Sequence, residues 1–243
     1  KLNSLWNNMQ EFGNSFAIAA DLILSASPEL LEIVLLSLRV TVSAVVIACF
    51  IGFPLGALLA VVRFPGRMAI TILFNTLMGL PPVVVGLLVY MMLSNAGPLG
   101  FLQLLYTPAA MIIAQAILIT PLIIALTCQV IATLYLEYEE HFKALVVPPK
   151  AAATALLWDA RYGLMTTALA GFGRAVAEVG AVIIVGGNIA HVTRVMTTAI
   201  ALETSKGELA LALALGFVLL IIAMTINACV LGVRAAAEKM AYV

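Results

Sequence analysis

Apolar residues along this chain occur in long runs that are interrupted by short polar loops. A helix needs about 20 consecutive apolar residues to cross a hydrocarbon core of about 30 Å. Five segments meet that requirement and are predicted to be transmembrane spans: Val40–Val62, Ala69–Leu93, Ala109–Leu134, Leu164–Val185 and Leu209–Val233. The pattern therefore predicts an all-α integral membrane protein, with a single transmembrane domain that covers residues 1–243.

The N-terminal segment, residues 1–39, precedes the first predicted span. Its apolar stretch from Phe16 is too short to cross a membrane and contains Asp21, so it predicts a helix that lies in the membrane interface. The stretch Leu30–Leu38 either extends the first span or lies at the interface, and the pattern does not separate these alternatives. No secretory signal peptide is predicted.

Proline and glycine interrupt the predicted spans. Pro81 and Pro82 fall inside the second span and Pro121 inside the third, where proline removes backbone hydrogen bonds and kinks a helix. These kinks either serve packing geometry or shape a cavity or gate. In the first span, Gly52 and Gly56 have the spacing that lets two helices approach closely.

The segment 135–163, between the third and fourth spans, is the largest predicted cytoplasmic loop. Its two halves are predicted to be helical and to be separated by Val146–Pro149. Ala151, Ala155 and Trp158 would share one face of the second, alanine-rich half. The segment is either a solvated connector or a docking surface for a cytoplasmic partner, and its apolar face favours docking.

Composition and charge narrow the functional class. The chain is 64% hydrophobic, 10% charged and formally neutral, with a mean hydropathy of +1.16, so no global charge favours nucleic acid. The three cysteines lie in apolar runs and predict packing, without a disulfide or metal site. No phosphate-binding loop or hydrolase motif occurs. The chain is therefore not predicted to be an enzyme, and any ATP hydrolysis would need a separate subunit.

Lysine and arginine residues predict the orientation of the chain, because they are enriched in short cytoplasmic loops. The side with more of them is predicted to be cytoplasmic: Arg63, Arg67, Lys143, Lys150, Arg161, Arg234 and Lys239. The outer side would hold Lys1, Arg39, Arg194 and Lys206. This orientation places the N-terminus outside and the C-terminus in the cytoplasm.

Two long motifs resemble a known family. The segments GLPPVVVGLLVYMMLSNAGPLG (Gly79–Gly100) and GFGRAVAEVGAVIIVGGNI (Gly171–Ile189), followed by TRVMTTAIAL, are similar to permease subunits of oxyanion ABC importers. The tungstate branch is most similar, with the molybdate permeases close behind. The resemblance covers nearly the whole chain beyond the N-terminal segment, and it implies the type I permease fold of ABC importers.

The resemblance also implies the partners. It implies a homodimer, embedded in the lipid of a bacterial or archaeal inner membrane, with two cytoplasmic ATPase subunits and a periplasmic or lipid-anchored binding protein that delivers tungstate. ATP and Mg²⁺ would bind to the ATPase, and this chain would bind no cofactor. Two alternatives stay open: molybdate or another oxyanion as the substrate, or a secondary transporter or channel that needs no ATPase.

The same resemblance implies that the segment 135–163 docks on the ATPase as a coupling loop. The implied contact residues are Glu140, Ala144, Leu145, Val146, Val147, Pro148, Pro149 and Lys150. The family usually carries an alanine pair followed by a glycine in this loop. Val146 stands where that glycine is expected, and LLWDAR replaces the usual downstream Leu-Pro.

Arg174 and Glu178 are charges inside the fourth predicted span. A spacing of four residues on one helix would let them pair, which would lower a cost of about 2.5–3.5 kcal/mol for a charge near the bilayer centre. Either the pair locks helices together, or Arg174 attracts a passing anion while Glu178 prevents its trapping. Pro81 and Pro82 are candidate gate residues on the same pathway.

The outer end of the fourth span holds Gly186, Gly187 and Asn188. Asn188 either completes a plain turn or donates a hydrogen bond to the anion on the pathway. Arg194, Thr197 and Thr198 follow and are predicted to face outward, where a binding protein would dock.

Overall fold

Helices make up nearly all of the protein. A computed structural model describes residue 16, residues 18–25 and residues 27–241, and no β-strand occurs among them, which confirms the all-α fold class. The helices are α1 (residues 18–24), α2 (Pro28–Val61), α3 (Arg67–Leu77), α4 (Pro82–Leu93), α5 (Pro108–Ala144), α6 (Pro149–Asp159), α7 (Arg161–Val176), α8 (Gly180–Gly186), α9 (Met196–Lys206) and α10 (Leu209–Ala241).

Three helices are long and apolar enough to cross a membrane unaided: α2, α5 and α10. Two further spans arise only if each of two bent helix pairs counts as one. The axes of α3 and α4 differ by 98°, and those of α7 and α8 by 59°. The predicted number of five spans is therefore reached with two of them broken.

The long helices extend beyond their predicted ends. α2 begins at Pro28, where the Ser27 hydroxyl accepts a hydrogen bond from the Leu30 N–H, so the apolar stretch Leu30–Leu38 is a continuous part of the first span. α5 continues past Leu134 to Ala144. Its 37 residues correspond to about 55 Å at 1.5 Å per residue, so α5 reaches well beyond a hydrocarbon core.

The extension of α2 changes the position of Arg39, which the sequence assigned to an outer flanking loop. Arg39 lies within the helix and is exposed. Lys1, another basic residue that the sequence assigned to the outer side, lies outside the described residues.

The N-terminal segment forms a helix, as its apolar stretch predicts. Ala19 of α1 is fully buried and belongs to one apolar cluster with Leu30 of α2 and Leu215 of α10. The first 15 residues of the segment lie outside the described residues.

α2 and α5 form the centre of the bundle and pack through glycine. A Cβ atom on Gly52 would lie 2.6 Å from the Ile123 Cγ2 atom, and one on Gly56 would lie 2.7 Å from the Ile124 carbonyl oxygen. The glycine spacing read from the sequence thus marks a close contact between the backbones of α2 and α5.

Arginine side chains hold α2 and α5 together at the C-terminal end of α2. Arg67 donates hydrogen bonds to the carbonyl oxygens of Leu59 (2.8 Å) and Ala60 (2.9 Å), which lie in the last turn of α2. These bonds satisfy carbonyls that a helix C-terminus leaves unpaired, and the positive charge complements the helix dipole. Arg63 pairs with Glu139 of α5, so the loop after α2 is attached to α5.

We predict that Gly56→Ala destabilises the protein by about 1–3 kcal/mol, because the added methyl group would overpack a backbone contact. Gly216→Ala is the matched control. Gly216 lies in α10, and a Cβ atom there would meet nothing within 4 Å, so alanine should be neutral or slightly stabilising. Thermal unfolding of both variants in detergent measures the difference. Equal midpoints would contradict the close packing of α2 and α5.

Candidate coupling loop and translocation site

The turn after α5 has a defined hydrogen-bond pattern. The Val147 N–H donates to the Phe142 carbonyl (3.0 Å), and the Val146 N–H donates to the Lys143 carbonyl (3.2 Å). These are the two bonds of a Schellman motif, in which the residue after the C-cap adopts the left-handed conformation. Val146 occupies that position with a φ of 50°.

The conformation of Val146 shows what replacing the expected glycine changes in this turn. Glycine is the usual residue at this position because it has no Cβ penalty, whereas a β-branched residue there is strained. The chain therefore keeps the glycine-type turn without the glycine. The turn leaves the Val146 side chain on the surface, with 85% of the residue exposed.

α6 begins directly after this turn and has two distinct faces. Pro148 is its N-cap and Pro149 its first residue, a position where the fixed φ of proline suits a helix. One face is buried against neighbouring helices, through Ala152, Ala153 and Leu156. The face predicted from the sequence to be apolar is exposed, through Ala151, Ala155 and Trp158.

The turn after α5 thus presents two large apolar side chains, which we call the coupling surface: Leu145 and Val146. Their exposed fractions are 75% and 85%, and adjacent exposed apolar residues are typical of an interaction site. Trp158 is also exposed, at 74%, but it lies at the other end of α6, beside residues 49–54 of α2. The Arg161 guanidinium lies 5.4 Å from the centroid of the Trp158 ring, close enough for a cation–π contact.

The charged residues implied for the coupling loop divide into two groups. Glu140 and Lys150 are exposed, and their side chains form no hydrogen bond or ion pair within the described part of the chain. Glu139, which the sequence did not single out, pairs with Lys143 (2.9 Å) and Arg63. Glu139 therefore anchors the C-terminal end of α5, while Glu140 is exposed and available for an external contact.

Pro81 and Pro82 separate two helices. Pro81 is the N-cap of α4 and Pro82 its first residue, so the predicted kink is a complete break with a change of direction. Pro121 differs, because α5 continues through it as one helix. The Thr120 hydroxyl there donates to the Ala116 carbonyl (2.6 Å).

The predicted pair of Arg174 and Glu178 does not form. α7 ends at Val176, so the two residues no longer lie one above the other on a helix. Arg174 is exposed in the last turn of α7 and has no ion pair or hydrogen-bond partner among the described residues. Glu178 is 5% exposed, and its Oε1 accepts a hydrogen bond from the Ala181 N–H (3.1 Å). The carboxylate therefore caps α8.

The two breaks lie side by side. A Cβ atom on Gly180, the first residue of α8, would lie 2.9 Å from Val83 Cγ2 near the start of α4. A Cβ atom on Gly86 would lie 2.7 Å from the Ala181 Cα atom. The structure thus brings Pro81 and Pro82 close to the break that follows Arg174, two regions that are far apart in the sequence.

The loop after α8 holds its polar residues inward. The Thr198 hydroxyl donates to Asn188 Oδ1 (2.9 Å), and the Asn188 Nδ2 donates to the Thr198 carbonyl (3.3 Å). The Thr197 hydroxyl donates to the Glu178 carbonyl (2.9 Å). The prediction that Thr197 and Thr198 face outward is therefore wrong, because both hydroxyls satisfy backbone or side-chain groups next to the break.

Sequence reasoning missed three polar residues near the break. Ser37, Thr41 and Gln115 are each at least 95% buried, and they lie in otherwise apolar helices. Their isolation within hydrophobic runs was the available signal, since polar groups inside a membrane protein mark internal contacts.

Comparison with known proteins identifies the family. Residues 52–239 match the family described as "Binding-protein-dependent transport system inner membrane component". The chain belongs to this family. The match covers both breaks and the whole coupling loop, and it favours an importer that depends on a binding protein over a secondary transporter or channel. Membership also agrees with a multi-pass membrane protein and with a permease that is not itself catalytic.

Three relatives align with most of the chain. The "Tungstate uptake system permease protein TupB" of Peptoclostridium acidaminophilum is 40% identical over 90% of this chain and 96% of its own. The protein of the same name from Campylobacter jejuni is 39% identical over 68% and 69%. A "Probable anion ABC transporter permease protein" of Haloferax volcanii is 38% identical over 84% and 90%.

We predict that Val146→Gly stabilises the isolated protein by about 1 kcal/mol, because glycine removes the Cβ penalty of the left-handed turn. Val146→Ala is the control, since alanine also shortens the side chain but retains a Cβ atom. Thermal unfolding of the purified chain compares the three proteins. If alanine stabilised it as much as glycine, strain at Val146 would not be the cause.

Proposed function

We propose that this chain is the membrane-spanning subunit of an ATP-driven tungstate importer. Two copies would line the pathway, and two cytoplasmic ATPase subunits would drive it. The similarity to two proteins named as tungstate uptake permeases supports the substrate. The feature of this chain that carries the proposal is Arg174, a cation that is exposed and unpaired beside two broken spans.

Arg174 suits a site that a dianion passes. Its guanidinium offers several donors in a planar arrangement that matches oxyanions. Because Glu178 is turned toward α8, no described residue neutralises the positive charge of Arg174. A water-filled path between two copies would also explain why an arginine within a predicted span is tolerated. Pro81 and Pro82 would shape this path by ending the adjacent span.

Asn188 has a different place in the proposal. Both polar atoms of its side chain are bonded to Thr198, so it holds the start of α9 against the loop after α8. We propose that Asn188 acts on the pathway by fixing this outer segment. An anion would contact its side chain only if the hydrogen bonds with Thr198 were broken.

The coupling surface is the proposed contact with the ATPase. Leu145 and Val146 are exposed on the turn after α5, and the flanking charges of Glu140 and Lys150 are unpaired within the described residues. A partner with an apolar groove would bury the two side chains. The remaining residues implied for the contact, Ala144, Val147, Pro148 and Pro149, would set the geometry of the turn.

We propose that the coupling surface is cytoplasmic and that the loop between α4 and α5 faces outward. The N-terminus would then lie outside and the C-terminus inside a bacterial or archaeal inner membrane. A periplasmic or lipid-anchored binding protein would deliver the anion to the outer face. The family description, which names both a binding protein and an inner membrane, supports this arrangement.

We predict that Arg174→Gln lowers tungstate uptake about tenfold or more in proteoliposomes that contain the ATPase and binding protein. Hydrogen bonds to a charged group contribute about 1.5–3 kcal/mol, and each 1.4 kcal/mol is a factor of ten. Arg174→Lys keeps the charge and should retain more uptake. Tungsten is measured by mass spectrometry, with molybdate and sulfate as competing anions.

Binding of the ATPase is the control for Arg174, since the residue lies far along α7 from the coupling surface. The ATPase should copurify equally with all three proteins. Normal uptake by Arg174→Gln would remove Arg174 from the pathway and leave the importer assignment intact. If sulfate at the same concentration competed as strongly as tungstate itself, the proposed substrate would be contradicted.

We predict that the double variant Leu145→Asp/Val146→Asp abolishes copurification of the ATPase, because charges would replace the apolar contacts of the coupling surface. Phe101→Asp is the matched control. Phe101 is also highly exposed, at 77%, but it lies in the loop proposed to face outward. Its replacement should leave ATPase binding unchanged.

The two variants also test the orientation. If Phe101→Asp released the ATPase and the double variant did not, the proposed cytoplasmic and outer faces would be reversed. If neither variant changed binding, the coupling surface would not be the contact.

A further inference from the structure

A small cavity lies inside the protein beside the α7–α8 break. About 10 Å³ of it is available to the centre of a water molecule, which is enough for one water. α2, α5, the break and the start of α9 enclose it. Its wall is unusually polar for the interior of a membrane protein and includes the side chains of Ser37, Thr41, Gln115, Glu178 and Thr197.

Two of these side chains have all their polar groups satisfied. The Ser37 hydroxyl donates to the Ile33 carbonyl (2.7 Å) and accepts from the Met196 N–H (2.7 Å). The Thr197 hydroxyl donates to the Glu178 carbonyl. These contacts attach α9 to α2 and to the break, and they do not require a further ligand.

Gln115 lines this cavity and has an unsatisfied polar atom. Its side chain is 3% exposed, and Nε2 donates to the Ala175 carbonyl (3.1 Å). Its Oε1 is buried and has no hydrogen-bond partner. A buried acceptor without a partner loses its hydration without compensation, so it requires an explanation.

Thr41 and Glu178 have further unused hydrogen-bonding groups at the same cavity. Thr41 is 3% exposed, and its hydroxyl has no hydrogen bond to any described residue. The Glu178 carboxylate accepts a hydrogen bond from Ala181, yet a carboxylate has room for about four. No lysine, arginine or histidine among the described residues pairs with it.

We propose that the cavity holds one water molecule. This water donates to Gln115 Oε1 and to the Glu178 carboxylate and accepts from the Thr41 hydroxyl. Three hydrogen bonds are typical of a buried water. A divalent cation takes six or more oxygen ligands, more than the three open groups offer, and the space is too small for a tetrahedral oxyanion.

The water adds a link between three elements, beside the direct bond from Gln115 to the Ala175 carbonyl at the end of α7. Thr41 belongs to α2, Gln115 to α5, and Glu178 to the break in the fourth span. The site therefore links the closely packed pair of α2 and α5 to the point where the chain changes direction. Gln115 is assigned the role of holding the Glu178 carboxylate through this water.

Isosteric variants test the site, because only a variant that loses a hydrogen bond to the water should lower the melting midpoint. Thr41→Val in the full chain, purified in lipid nanodiscs, should lower the melting midpoint by about 2–4 °C, the shift that a single lost hydrogen bond gives a chain of this size. Thr127→Val is the matched control. Thr127 is fully buried and its hydroxyl is also unpaired, but it does not line the cavity, so valine should not lower the midpoint.

A cryo-electron microscopy map that resolves ordered waters elsewhere provides the direct observation. Density within hydrogen-bond distance of Gln115 Oε1 and Glu178 is expected, and an empty cavity would overturn the proposal. It would equally fail if Thr41→Val were as stable as the parent chain.

Sodium ions provide the last test. The melting midpoint should be the same in NaCl and in choline chloride of equal concentration. A higher midpoint in NaCl that disappears in Glu178→Gln would show that the cavity binds a cation and would reject the water.

Discussion

A helix that ends inside a hydrocarbon layer exposes backbone donors and acceptors where no bulk water can satisfy them. Much of this structure follows from how the break between α7 and α8 meets that requirement. Glu178 accepts the Ala181 N–H through its carboxylate, and its own carbonyl accepts the Thr197 hydroxyl. The carboxylate of Glu178 thus caps α8, while the backbone carbonyl of the same residue helps to hold the start of α9, together with Ser37, which accepts the Met196 N–H.

This use of Glu178 has an electrostatic consequence. A carboxylate committed to α8 cannot neutralise Arg174, which remains exposed at the end of α7. The position there is favourable, because the C-terminal end of a helix carries a partial negative charge. One break therefore separates two opposite charges that an unbroken helix would have paired. The separation leaves Arg174 as an exposed cation without a partner among the described residues, which is the state that the proposed anion pathway requires.

The sequence could predict the parts that depend on average hydrophobicity or on rigid local geometry. The runs of apolar residues located the three long helices and the two bent helix pairs, and Pro81 with Pro82 located one break. The other break was missed because GRAVAEV has no proline and is compatible with a continuous helix. Its cause is tertiary, since caps from Thr197 and close contact with Val83 stabilise it. For the coupling loop, sequence identified the missing glycine, but only the backbone shows that Val146 keeps its left-handed turn.

Transport driven by a distant ATPase needs rigid parts that carry a motion and a flexible part that responds to it. α5 continues through Pro121 from the level of Gln115 to the coupling turn after Ala144, about 44 Å at 1.5 Å per residue. Its glycine contacts with α2 allow little independent sliding. By contrast, α4 and α8 are short, packed on each other, and joined to α3 and α7 only through breaks. In the proposed importer, α5 would therefore carry a force from the coupling turn to the neighbourhood of Arg174. There the two breaks could rotate, because the backbone at a break is not held by helical hydrogen bonds.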